Sequence, residues 1–109
     1  MDAKVVATRT YERRIGKLLS TESRREMEDS LAASPRAHPI IPQTKGVRKA
    51  RWSRAGMGKR GGIRVIYYWA PRPNLILMIT AYAKSAKEDL TDADKTRIRE
   101  IVEGFQGNQ

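Results

Sequence analysis

Residues 63–82 read IRVIYYWAPRPNLILMITAY, two strand-like runs separated by a proline-rich turn. Side chains of an extended chain point alternately to opposite faces, so Ile63, Val65, Tyr67 and Trp69 share one face of the first run, and Arg64, Ile66 and Tyr68 the other. The second run, Leu75 to Tyr82, is apolar on both faces until its end, the pattern of a central strand covered by helices. Between them APRPN, Ala70 to Asn74, is short enough for an antiparallel hairpin. Upstream, VRKARWS at Val47 to Ser53 alternates in the same way, with Val47, Lys49, Arg51 and Ser53 on one side and Arg48, Ala50 and Trp52 on the other. Three antiparallel strands are therefore predicted.

Helical periodicity flanks these strands. Tyr11, Ile15, Leu18 and Leu19 form one stripe of a first helix, with Thr8 or Thr10 as its cap and Glu12, Arg13, Arg14 and Lys17 turned outward. A second helix, Glu22 to Ala33, has Met27, Leu31 and its alanines to bury and stops before Pro35. Three prolines between Pro35 and Pro42 predict an extended surface connector. A last helix starts near Thr91, whose hydroxyl caps it while Asp92 and Asp94 sit at its positive end; Ile98, Ile101, Val102 and Phe105 make its apolar stripe, and Gly107 ends it. Lys4 to Thr8 is a short apolar segment, an edge strand or a lead-in. The expectation is an α+β domain over residues 1–109, with a twisted antiparallel sheet, two N-terminal helices and a C-terminal helix.

Composition narrows the chemistry. The 109 residues are 39% hydrophobic and 31% charged, which is globular composition. There is no cysteine, so disulfides, thiolate nucleophiles and cysteine-type zinc sites are excluded, and an intracellular, cytoplasmic protein is expected. The longest apolar stretch, Leu75 to Ile79, is far below the roughly 20 residues that cross a bilayer, so no membrane partner is expected. The single histidine, His38, lies between Ala37 and Pro39 and reads as a loop residue. No histidine-rich metal site or two-histidine nuclease mechanism can be built from it, and neither metal nor cofactor is expected.

The net charge of +10 is unevenly distributed. Residues 47–84 carry nine basic side chains and no acidic one, and no carboxylate occurs between Asp29 and Glu88. Such a stretch creates a local positive potential that suits a phosphate-rich partner. Arginines outnumber lysines by 14 to 8, which favours planar, forked recognition of phosphate or carboxylate. A plain solvated basic face, or one awaiting an acidic protein, is the alternative. The glycine-rich GMGKRGG, Gly56 to Gly62, is no P-loop: G-x-x-x-x-G-K-S/T needs a hydroxyl residue after the lysine and then a helix, whereas Arg60 follows Lys59 and a strand comes next. Its backbone amides with Lys59 and Arg60 suit a phosphodiester, and a mobile hairpin loop is the other reading.

Strand parity groups Lys49 with Arg51, isolates Arg64 as the charged residue of its run, and groups Tyr82 with Lys84. With neighbouring strands in the matching register these five side chains fall in one patch. Such a patch has the groups that cleavage of RNA by its own 2′-hydroxyl requires. Arginine stabilises the extra negative charge on the phosphorane, and a lysine whose pKa is lowered by neighbouring cations shares in proton transfer. Of the aromatic residues Trp52, Tyr67, Tyr68, Trp69 and Tyr82, sheet packing is the expected role of at least Tyr67 and Trp69.

Three motifs carry a resemblance. GVRKARW (Gly46 to Trp52), GKRGGIRVIYYW (Gly58 to Trp69) and YAKSAKEDL (Tyr82 to Leu90), followed by an amphipathic helix, closely resemble the HigB-like branch of the RelE/ParE toxin superfamily. The resemblance runs from Tyr11 to Phe105. It implies a RelE-like fold, a metal-independent mRNA endoribonuclease acting at the ribosome, and a cognate helix-turn-helix antitoxin as partner. It also implies catalytic roles for Arg51, Lys59, Arg64 and Lys84, with Lys49, Arg54, Arg60 and Tyr82 binding RNA. Relatives outside this branch use a tyrosine or histidine near the C-terminus, and Phe105 to Gln109 offers neither. Two other functions share this reading: a gyrase-inhibiting toxin of the same fold, and a basic RNA- or ribosome-binding module without catalysis.

Overall fold

The computed structural model describes residues 1–53, 62–87 and 89–107. Its elements are β1 (Lys4–Ala7), α1 (Arg9–Leu18), α2 (Thr21–Ala33), β2 (Arg48–Trp52), β3 (Ile63–Ala70), β4 (Leu75–Ala83) and α3 (Asp92–Gly107). The strands form one sheet in the order β1-β4-β3-β2. β2 with β3 and β3 with β4 are antiparallel, as the alternation and the short hairpin predict. β1, however, pairs parallel to β4, from Lys4 opposite Leu75 to Ala7 opposite Met78, so the sheet is mixed rather than wholly antiparallel. β4 is thus the inner strand between β1 and β3, and both its faces are covered, which is why its sequence is apolar throughout.

One face packs on the two N-terminal helices. Thr8 begins α1 with a hydroxyl that accepts from the Tyr11 amide at 3.1 Å and donates to the Ile79 carbonyl at 2.6 Å, fastening the helix start to β4. Tyr11 and Ile15 point inward from α1, and Met27 and Leu31 from α2, against Val65, Tyr67, Ile76 and Met78 of the sheet. Ser20 caps α2 by accepting from the Ser23 amide. Across the junction of the two helices the Arg24 guanidinium grips both Glu12 oxygens, at 2.7 and 3.0 Å, and Glu28 at 2.8 Å. The Tyr11 hydroxyl donates to the same Glu28 at 2.6 Å.

The opposite face packs on α3, whose Ile98 and Val102 are buried against Ile66, Leu77 and Ile79, with Ile101 and Phe105 partly buried beside them. Thr91 and Asp94 cap α3 reciprocally. The Asp94 amide donates to the Thr91 hydroxyl at 3.1 Å, and the Thr91 amide donates to the Asp94 carboxylate at 2.9 Å. Lys87 also bonds that carboxylate, and these donors hold the Asp94 pKa below the usual carboxylate value, Lys87 contributing most. A depressed folded-state pKa contributes stability that is fully present above the unfolded value, about 3.9, and is lost as pH falls through the lower folded-state value. Asp94→Asn should therefore lower the melting temperature at pH 7, and the deficit should shrink steadily as the pH is taken down to about 2. Thermal melts at both pH values test this, and an equal deficit at both would remove the ionic role of Asp94.

A register shift in the β3–β4 ladder decides where the last turn of β4 points. Ile66 pairs with Thr80 and Tyr67 with Met78, so Ile79 is an extra residue on β4. Strict alternation would put Tyr82 on the face of Ile76 and Met78, against α1 and α2. The bulge moves it to the face of Ile66 and Arg64, toward α3.

Candidate nucleic-acid interface

With that correction the register aligns three side chains across three strands: Arg51 opposes Arg64 and Arg64 opposes Tyr82. Lys49 stands one row along on the same face, opposite Ile66. Arg51 is exposed, whereas Arg64 retains 6% and Tyr82 7% of its accessible surface. Directly opposed like charges destabilise a sheet, and removing a cation from water costs more still unless an anion balances it. Among the described residues Arg64 has no carboxylate in ion-pair contact, and its guanidinium donates only to the neighbouring Ile63 carbonyl, at 3.4 Å. The Tyr82 hydroxyl is buried and has no hydrogen-bond partner among the described residues. Burial raises the phenol pKa, Asp89 adds to the rise and Arg64 opposes it, so Tyr82 stays protonated at neutral pH. A buried guanidinium and a buried neutral phenol thus stand in one row as donors, the residue types that bind and stabilise a phosphate oxygen.

The segment after β4 borders this row. Lys84, exposed just beyond the strand, donates its backbone amide to the Gly62 carbonyl at 3.2 Å. Lys87 lies 6.0 Å from the Tyr82 ring centre, within cation-π range. Asp89, 81% exposed at its side chain, reaches Lys49 at 3.6 Å. An ion pair that exposed contributes little to stability and yields readily to a competing anion.

No family model matches the chain. Among solved structures, a double arginine-to-alanine mutant of the E. coli toxin RelE in the free state superposes with a TM-score of 0.64. The match covers 89% of this chain and 97% of that one at 17% sequence identity. The chain has the RelE fold. At this identity the likeness is one of backbone path: it bears out the RelE-like fold and does not distinguish a HigB branch.

On this RelE-like sheet Arg51, Arg64 and Tyr82 come together in one row, Lys49 adjoins it, and Lys84 lies past its end. Arg54, Lys59 and Arg60 fall outside the described residues. His38 sits at the other face: its ring meets Tyr67 edge-on at 6.3 Å, its carbonyl accepts from Arg48 at 2.8 Å, and burial, with Arg48 in support, lowers its pKa. Tyr67 is fully buried and Trp69 packs against the same core, which is the packing role expected of them. Lys87, Asp89 and Asp94 were not foreseen beside the row. The signal for Asp89 and Asp94 is the acidic stretch that begins at Glu88, the first carboxylate after Asp29; Lys87 has none. Among the described residues no group of three or more His, Cys, Asp or Glu side chains is placed to hold a metal ion, and no helix is long and apolar enough to cross a membrane.

Proposed function

We propose that this chain is a HigB-like toxin of a toxin-antitoxin pair, a single-domain cytoplasmic endoribonuclease that cuts mRNA on the ribosome without a metal ion. The observation that carries the proposal is the buried Arg64, without a carboxylate partner among the described residues, set between Arg51 and the protonated Tyr82. In the reaction the substrate 2′-oxygen forms a bond to the adjacent phosphorus and loses its proton to a base. The bond from phosphorus to the 5′-oxygen then breaks, and that oxygen takes up a proton. Arg64 and Tyr82 donate to the phosphorane oxygens, Arg51 and Lys49 hold the flanking phosphates, and Lys84 is placed to share in proton transfer. Lys59 acts with them in this scheme, and Arg54 and Arg60 bind RNA. A helix-turn-helix antitoxin is the partner that restrains the toxin, and its complementary surface neutralises the basic stretch of residues 47–84.

Primer extension on ribosome-bound transcripts with end-group analysis tests the chemistry. The products should carry a 5′-hydroxyl and a 2′,3′-cyclic phosphate or its opened 3′-phosphate, and a 2′-deoxy nucleotide at the cleavage position should abolish the cut. Products with 5′-phosphates, or undiminished cleavage of the deoxy-substituted transcript, would rule out 2′-hydroxyl attack. No cleavage at all, with inhibition of gyrase instead, would replace the nuclease by the non-catalytic toxin of the same fold.

A further inference from the structure

A second cationic feature adjoins the arginine row. Between α1, the end of β4 and α3 lies a groove of about 290 Å³, close to the lower bound of pockets that hold small organic ligands. Its floor is apolar, built from Ile79, Ile98 and Ile101, and its rim carries Arg13 and Arg14 from α1 and Arg97 from α3. The groove exists because β1 stops pairing at Met78, so the last residues of β4 have no strand beyond them on that side. Arg14 instead reaches over this edge and donates to the Thr80 hydroxyl at 3.1 Å.

Charge selects the occupant. Among the described residues the one carboxylate lining the groove is Asp94, already bonded to Lys87, and none of the three arginines has an ion-pair partner. An apolar floor under a cationic rim matches the two halves of a nucleotide, a flat base and a phosphate. Continuity favours a nucleotide over an acidic peptide, because Tyr82 lines this groove and is also the end of the row that faces Arg64. We propose that the groove is a subsite for an RNA nucleotide flanking the scissile phosphate, its base against the partly exposed Ile101 at the groove floor and its phosphate held by Arg13 and Arg97. The proposal rests on the nuclease reading for its substrate class and adds a second point of contact outside the reacting row.

NMR titration of the isolated protein, at fixed ionic strength, with a 2′-O-methylated dinucleotide and a 2′-O-methylated hexanucleotide tests it. The double variant Arg13→Glu/Arg97→Glu should bind the hexanucleotide at least about tenfold more weakly and the dinucleotide nearly as the parent does. The control Arg25→Glu/Arg72→Glu makes the same charge change at exposed positions on α2 and in the β3–β4 turn, so it reports the general field, which scales with the number of phosphates, and should weaken the hexanucleotide by much less than the groove variant does. Arg97→Gln, a milder change, should retain a several-fold preferential loss for the hexanucleotide should the double variant fold poorly. Equal losses in the groove variant and the control would overturn the subsite. So would an aspartate-rich peptide that occupies the groove while the hexanucleotide does not compete with it. Failure of the nuclease reading shows separately, as the absence of transcript cleavage by the parent protein on the ribosome.

Discussion

Under the proposed function, Arg64→Ala is expected to slow transcript cleavage by about 100-fold or more and to melt no lower than the parent protein. The first half follows from the chemistry: withdrawing one donor from a developing oxyanion costs roughly 3 to 4 kcal/mol of transition-state stabilisation. The second half follows from burial. Arg64 is 6% exposed, faces Arg51 across the strand pair and has no ionic partner among the described residues, so the folded protein carries the cost of its desolvation. Removing that cost offsets the packing lost with the side chain. Activity and stability therefore move in opposite directions, or stability does not move at all. Arg64→Lys rescues poorly, because an ammonium cannot offer the planar fork of the guanidinium. Single-turnover cleavage together with thermal denaturation reads both quantities. Full activity in folded Arg64→Ala would end its assigned role, and a large loss of stability would mean that the arginine is held there by the fold and not by its substrate.

Tyr11→Ala should be among the most destabilising single substitutions in the protein. Tyr11 is completely buried, sits beneath the Arg24 guanidinium at 5.3 Å and donates to Glu28. Truncating a large buried aromatic ring to alanine costs about 3 to 5 kcal/mol. Against a total stability of about 5 to 15 kcal/mol, that loss is enough to unfold a good part of the population. Tyr11→Phe keeps the ring and removes only the hydroxyl. Glu28 retains Arg24 as a partner, so this change costs only about 1 kcal/mol. Urea denaturation of the two variants separates ring from hydroxyl, and similar midpoints would show that the Glu28 bond, not the packed ring, holds α1 on the sheet.

Much of this architecture is legible along the chain, and the parts that are not share a cause. Which residues of β2 and of β3 share a face follows from alternation, whereas that Arg51 and Arg64 lie on the same face of the sheet is settled only by the register that pairs them. β4 has no contrast of polar with apolar residues until its end. Leu75 to Ile79 is apolar at every position, so a one-residue bulge leaves no trace in the pattern, and the face of Tyr82 is settled only by the pairing of Thr80 with Ile66. The direction of β1 is similarly silent, since four residues, KVVA, fit either orientation and their partner lies far along the chain. Helix caps read well where they are local: Thr8 and Thr91 each bond an amide three residues on, as expected, whereas the Ser20 cap, which starts α2 at Thr21 rather than Glu22, was not foreseen. The groove arginines were missed for the opposite reason. Arg13 reads as a solvent-facing position of the first helix and Arg97 lies off the apolar stripe of the last, and only tertiary packing makes them neighbours of one cavity.

The parallel pairing of β1 with β4 bears on how the chain is made. Thr8 is tied to Ile79 across 71 residues, so the earliest strand to leave the ribosome waits for the last one before it gains a partner. The arginine row has the same requirement, because its third member, Tyr82, lies near the end of β4. Contacts so distant in sequence form slowly, after most of the loop-closure entropy has been overcome. A nascent chain halted before Leu75 holds neither a closed sheet nor an assembled row. Translation that stops early yields a fragment without the arginine row, and the candidate site exists only once β4 has been made.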